Sequence, residues 1–188
     1  MAETPLEEGK ERFVFGDAVE ALKLDDSDLY REGPGRIPGI RCVDFVACGA
    51  DHLLLVEAKD FRAHRIENKE KVGSKLADQV AQKVVGALAT AVAGRRTLVD
   101  EPRWVRVASV LDSEAKDIVV LLWLRRDRGT PQQELRAKVR RQNLSRLLKT
   151  RLRWLTRRVM VVGPEQLPQI QRWGLVRVEG LPGAGQPG

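Results

Sequence analysis

Residues 41–48 (RCVDFVAC) and 52–59 (HLLLVEAK) are two short apolar runs separated by Gly49-Ala50-Asp51, a spacing that predicts a β-hairpin with a short loop. Both runs have strand length, and Gly49 and Asp51 are turn-forming residue types. With the turn centred between Ala50 and Asp51, paired residue numbers sum to 101, which sets Asp44 opposite Glu57. Side chains alternate along a strand, so Glu57 and Lys59 project from one face. Facing side chains in such a pair lie about 5 Å apart at Cβ, and like charges there destabilise the sheet.

The triplet Glu-x-Lys by itself carries little weight, because it also occurs at Glu8/Lys10, Glu67/Lys69 and Glu114/Lys116. Those copies fall in segments that read as tail, charged connection or turn. Only Glu57 and Lys59 interrupt an apolar run, Leu53-Leu54-Leu55-Val56, where charges are selected against. Two arrangements answer the opposed carboxylates. One is a buried salt-bridged triad of Asp44, Glu57 and Lys59. The other is a shared divalent cation, since hard cations take carboxylate oxygens and magnesium is held by one or two carboxylates plus water and substrate phosphate. Lys59 beside such an ion would position the attacking water or stabilise the added negative charge of a phosphoryl transition state.

Around the hairpin the pattern predicts alternating helices and strands. Phe15, Ala18, Val19 and Leu22 recur at helical spacing and predict a first helix ended by the polar stretch Asp25 to Asp28. Gly33-Pro34-Gly35 and Pro38-Gly39 read as a loop. Beyond a charged connection from Asp60 to Gly73, Ser74 is an N-cap candidate, and Leu76, Val80, Val84, Leu88 and Ala91 mark the buried face of a helix running to about Gly94. Trp104 to Leu111, Ile118 to Leu124 and Val159 to Val162 read as strands. The segment from Pro131 carries Leu135, Val139, Leu148, Leu152 and Leu155 at near-helical spacing. The alternation indicates an α/β (α+β) sandwich around one central sheet. At 188 residues the chain fits one domain, read as 11–179, with 1–10 and 180–188 as flexible tails.

The formal charge of +7 favours an anionic partner, and its distribution is uneven. Residues 131–158 hold ten Lys or Arg against Glu134 alone, so the remainder of the chain is slightly acidic. Arg140, Arg141, Arg146 and Lys149 lie on the polar side of that segment, where a basic helix face can follow a phosphate backbone. The acidic N-terminus does not resemble a signal peptide, and Ile118 to Leu124 is too short an apolar stretch to span a bilayer. A cytoplasmic protein with no membrane partner is expected. Cys42 and Cys48 share one run whose extension keeps them apart, so buried free thiols are expected. Trp104, Trp123 and Trp154 read as core. His52 reads as structural, and His64, beside Arg62 and Arg65, is a weaker substrate-contact candidate.

Val43-Asp44, the short turn, and Glu57-Ala58-Lys59 at the end of the next strand resemble the PD-(D/E)XK nuclease superfamily, which has the restriction-endonuclease-like fold. The matched stretch runs from about Phe13 to Leu111, with Val43 in place of the family's proline. The resemblance implies a restriction-endonuclease-like core. That core is a central mixed sheet flanked by helices, here with a basic helical C-terminal extension. It also implies a magnesium-dependent nuclease, with manganese able to substitute. Asp44 and Glu57 would bind the metal, the Ala58 backbone carbonyl would complete the shell, and Lys59 would act in catalysis. Several relatives carry a glutamine-bearing helix after the lysine. Gln79 is the matching candidate for catalytic assistance, while Lys75, Gln82 and Lys83 on the same helix are candidates for substrate contact. The tyrosine some relatives place after such a glutamine pair is missing, and Lys83 stands just beyond Gln82. Glu20 is the candidate for a first-helix metal ligand, although a helical wheel turns it away from the apolar face.

The expected function is therefore metal-dependent phosphodiester hydrolysis, with DNA favoured over RNA, in defence, repair or recombination. A homodimer or a targeting partner subunit is expected to supply recognition. The alternatives are a non-catalytic nucleic-acid-binding or assembly module of the same fold, or an RNA-cleaving toxin-like nuclease.

Overall fold

The computed structural model describes residues 3–62, 72–97, 101–127 and 129–181. The elements follow the order β1 (Thr4–Glu8), β2 (Glu11–Phe15), β3 (Glu20–Lys23), α1 (Asp28–Glu32), β4 (Phe45–Cys48), β5 (His52–Asp60), α2 (Val72–Thr97), α3 (Pro102–Leu111), β6 (Asp117–Arg125), α4 (Pro131–Arg151), β7 (Arg158–Val162) and β8 (Leu175–Gly180). The strands form a five-stranded mixed sheet in the order β3-β4-β5-β6-β7 and a three-stranded sheet in the order β1-β2-β8. Among these, β3, β4 and β5 are antiparallel, while β6 runs parallel to β5 and β7 parallel to β6.

Three layers result. One face of the large sheet, with Val46, Leu53, Leu55, Val120 and Leu122, packs on the apolar side of α2, α3 and α4. The opposite face, with Phe45, Leu54, Val56, Leu121 and Trp123, packs on Phe13 and Phe15 of the small sheet and on Ile170 and Trp173. Both faces of β5 are covered, which explains why Leu53 to Val56 reads as unbroken apolar sequence rather than as an alternation.

The hairpin forms in the expected register, with Phe45 opposite Val56 and Cys48 opposite Leu53. Cys42 and Cys48 are free and buried, but only Cys48 lies in β4. The first helix is not formed. Phe15 ends β2 and Leu22 lies in β3, on opposite faces of the large sheet, with the Gly16–Val19 turn between them. The period-two pair Phe13 and Phe15, both fully buried, is the pattern that prevails. Residues 104–111 form a helix, not a strand. Pro102 occupies its first turn, and Trp104, Val107 and Ala108 are buried while Val105 is exposed. Within 1–10, read as a tail, Thr4–Glu8 pairs with β2 through a turn at Gly9, whose φ of 57° favours glycine.

The α2 helix begins at Val72, so Ser74 lies within it, and it runs past Gly94 to Thr97. Gly94 is a contact point, because a Cβ there would overlap Trp104 of α3. Trp104 and Trp123 are core, whereas Trp154 is 64% exposed, and Leu135 and Val139 in the N-terminal half of α4 are also exposed. Leu144, Leu148 and Leu152 carry the burial of that segment. No described helix is long and apolar enough to cross a membrane. His64 and residues 182–188 lie outside the described residues.

Candidate active site

Register alone brings the first two carboxylates together. The β4–β5 pairs sum to 101, so Asp44, the residue before β4, sits across from Glu57. Asp44 is 4% exposed and Glu57 is fully buried. The Ala58 backbone N–H donates to Asp44 Oδ2 at 2.7 Å, and the Leu24 N–H donates to the Asp44 carbonyl at 2.8 Å. These two bonds pin Asp44 between β3 and β5. The first bond engages the Ala58 N–H, a group separate from the carbonyl expected to face a metal.

Glu57 and Lys59 share the face turned to the helices, and Lys59 Nζ lies 2.6 Å from Glu57 Oε1. The second partner comes from α2. Lys83 Nζ lies 2.8 Å from Glu57 and 3.3 Å from Asp44. Lys83 was expected at a nucleic-acid contact surface, but the packing of α2 draws it into the site. Gly86, one turn further on, permits this. It is buried, and a Cβ there would overlap the Arg41 carbonyl just ahead of Asp44. The repulsion between opposed carboxylates is thus offset by an ammonium from the chain itself.

Burial and the neighbouring Asp44 push the Glu57 carboxyl above its ordinary range. For Lys83, burial works against the charged form, but the carboxylates of Glu57 and Asp44 outweigh it and hold the ammonium above its usual value. The Lys83 direction favours its ammonium, which faces both carboxylates, while the Glu57 direction records the cost of keeping that carboxylate charged in a buried place beside Asp44.

A further carboxylate group meets Asp44 from the opposite side. Oxygens of Glu8, Asp25 and Asp44 lie within 4.8 Å of one another, close enough to hold a metal ion. Asp25 Oδ1 is buried without a hydrogen-bond partner among the described residues. Burial first, and then the charge of Asp44, push the Asp25 carboxyl up to about 6. Glu8 is held by Lys23 Nζ at 3.0 Å. Neither Glu8 nor Asp25 stands out in the sequence, where they read as tail and helix end. They converge only because β1 folds back and β3 pairs beside Asp44.

Glu20 is not part of this group. It opens β3 opposite Cys48, at the far end of the hairpin, and binds Arg103 Nε at 2.9 Å. Gln79 is exposed one turn before Lys83 and makes no hydrogen bond to the carboxylates among the described residues; Gln82 and Lys75 are also exposed. On α4, Arg140, Arg146 and Lys149 are exposed, while Arg141 pairs with Glu165. At the carboxyl ends of β5, β6 and β7 lies a cavity of about 580 Å³, lined by Leu124 of β6, which is the register partner of Lys59. Arg62, Arg125, Arg126 and Arg141 line it, together with Glu134 and Glu165. The carboxyl edge of parallel strands is where open α/β sheets commonly bind ligands.

No protein-family model, curated protein or solved structure matches the chain. The chemistry therefore rests on the residues themselves.

Proposed function

We propose that the chain is a metal-dependent nuclease that hydrolyses phosphodiester bonds, DNA being the favoured substrate, at the Asp44, Glu57 and Lys59 end of the β4–β5 hairpin. The observation that carries the reading is the opposed, buried pair Asp44 and Glu57 beside the partly exposed Lys59. The orphaned buried Asp25 oxygen next to Asp44 and Glu8 supports a cation there. Asp44 with Asp25 and Glu8, or with Glu57, would hold magnesium or manganese. Such an ion would polarise a phosphoryl oxygen and lower the pKa of bound water.

The remaining work falls to the chain. Lys59 keeps about a third of its side chain exposed, so its ammonium can meet a phosphoryl oxygen and stabilise the charge that develops there. Glu57 orients that ammonium through the 2.6 Å contact. Arg140, Arg146 and Lys149 would hold flanking phosphates, and the arginine-lined cavity would extend the track past Lys59. A second copy of the chain or a targeting partner would supply recognition.

Lys83 favours one rival. By pairing with both carboxylates it leaves a charge-balanced cluster that a non-catalytic nucleic-acid-binding module could also keep. Incubation with supercoiled DNA, linear DNA and RNA, each with magnesium or chelator, separates the two. Magnesium-dependent cleavage that Lys59→Ala abolishes is the expected result. Binding without cleavage of any substrate would overturn the nuclease reading in favour of the rival.

A further inference from the structure

The two lysines of the site are not equivalent. Among the described residues, Lys59 pairs with Glu57 and not with Asp44. Lys83 touches both carboxylates, so its ammonium is the charge that lets Asp44 and Glu57 face each other in a metal-free fold. We infer that Lys83 occupies the place a divalent cation takes between Asp44 and Glu57, so that metal binds there by replacing the Lys83 ammonium rather than by filling an open site. The inference rests on the metal-dependent reading of this site and adds how the site is held and released.

Three observations support replacement. The Lys83 contacts of 2.8 and 3.3 Å draw on both carboxylates, the oxygens an ion would need at about 2.0–2.1 Å. An ammonium and a divalent ion cannot both sit between the same two carboxylates, because their mutual repulsion would be screened little in so buried a place. Lys83 also has a way out, since its side chain is 18% exposed, it hangs on a flexible four-carbon stem, and its α2 neighbours Gln79 and Gln82 are exposed. Lys59, with no contact to Asp44, can stay on Glu57 while the exchange takes place. Lys83 is in this sense a positioning residue, which holds the carboxylates in their opposed geometry until the ion arrives.

Competition of this kind has a consequence that a merely structural ion pair lacks: removing the competitor tightens metal binding. The full chain and its Lys83→Met and Lys83→Gln variants are titrated with manganese by calorimetry and melted in chelator and in manganese. The expected result is tighter manganese binding in the variants, by on the order of tenfold, the scale of coupling between two ligands that compete through one protein. The variants should melt below wild type in chelator and recover in manganese. A variant that binds manganese while wild type does not counts for the inference. Wild-type binding with no tightening in either variant overturns the inference and leaves the metal site standing. Variants that stay unfolded with and without manganese also overturn it, because Lys83 is then purely structural. If no form of the chain binds manganese and wild type cleaves nothing, the metal-dependent reading falls and the inference with it.

Discussion

Replacing Asp25 with Asn tests whether the fold carries an uncompensated carboxylate for a cation to neutralise. Asp25 lies in partial burial beside Asp44 with one oxygen unpartnered, and its carboxyl is pushed up from 3.8 to about 6. A group whose folded pKa is raised keeps its full stability contribution below the unfolded value and loses it as pH rises through the folded value. The loss therefore develops between about pH 4 and 6 and persists above. The difference in pKa corresponds to on the order of 3 kcal/mol before screening, and partial exposure reduces this to about 1–2 kcal/mol. In chelator, Asp25→Asn should match wild type near pH 4 and exceed it by about 1–2 kcal/mol at pH 7.5. Denaturant melts of both proteins across that range measure the gap. Manganese should narrow it by stabilising wild type more than the variant. A variant no more stable than wild type at pH 7.5 in chelator would refute the argument, because the carboxylate would then be satisfied without a cation.

If the proposed nuclease reading holds, Lys59→Ala should abolish cleavage while DNA affinity changes little, since α4 would supply the phosphate contacts; wild-type rates would remove Lys59 from the chemistry. The triple variant Arg140→Ala, Arg146→Ala, Lys149→Ala should weaken DNA binding and lower the salt slope by about one per lost contact. An unchanged slope in filter binding across a salt series would move the interface off α4. Gly86→Ala should cost about 1–3 kcal/mol by forcing α2 away from the Arg41 carbonyl and should lower cleavage more than DNA binding; a melt within error of wild type would show that α2 is not tightly seated there.

The hairpin was legible because both of its runs end at turn-forming residues, and strand pairing then leaves only arithmetic. The α2 helix was legible from five apolar residues at helical spacing, and β6 and β7 from short β-branched and leucine runs. Phe15, Val19 and Leu22 misled because their spacing fits a helix, yet they divide between two cores on opposite faces of a sheet. Residues 104–111 misled through their valines and tryptophan, which favour strands by composition. The correct signal was present in Pro102 and in the spacing of Trp104, Val107, Ala108 and Leu111. Trp154 reads as core because it falls between Leu152 and Leu155, yet it lies in the turn past the end of α4, 64% exposed.

At the site, Asp44, Glu57 and Lys59 could be assembled from one hairpin, whereas Glu8, Asp25 and Lys83 arrive by tertiary packing. The cluster as a whole still says something about selection. Buried ion pairs can often be exchanged for apolar residues of similar volume at no loss, so a fold selected only for stability has little reason to keep one. Here the balance is also incomplete. Lys83 and Lys59 match Asp44 and Glu57, but Asp25 is left in partial burial with its carboxyl held near 6, and among the described residues the one cation near it in the cluster, Lys23, already pairs with Glu8 and Asp26. On the proposed reading, the unfavourable Asp25 carboxylate is kept beside Asp44 for a cation that Glu8, Asp25 and Asp44 are close enough to hold. A closed salt-bridge network would require Asp25 to be ionised at no cost, which is the point on which the Asp25→Asn melts decide.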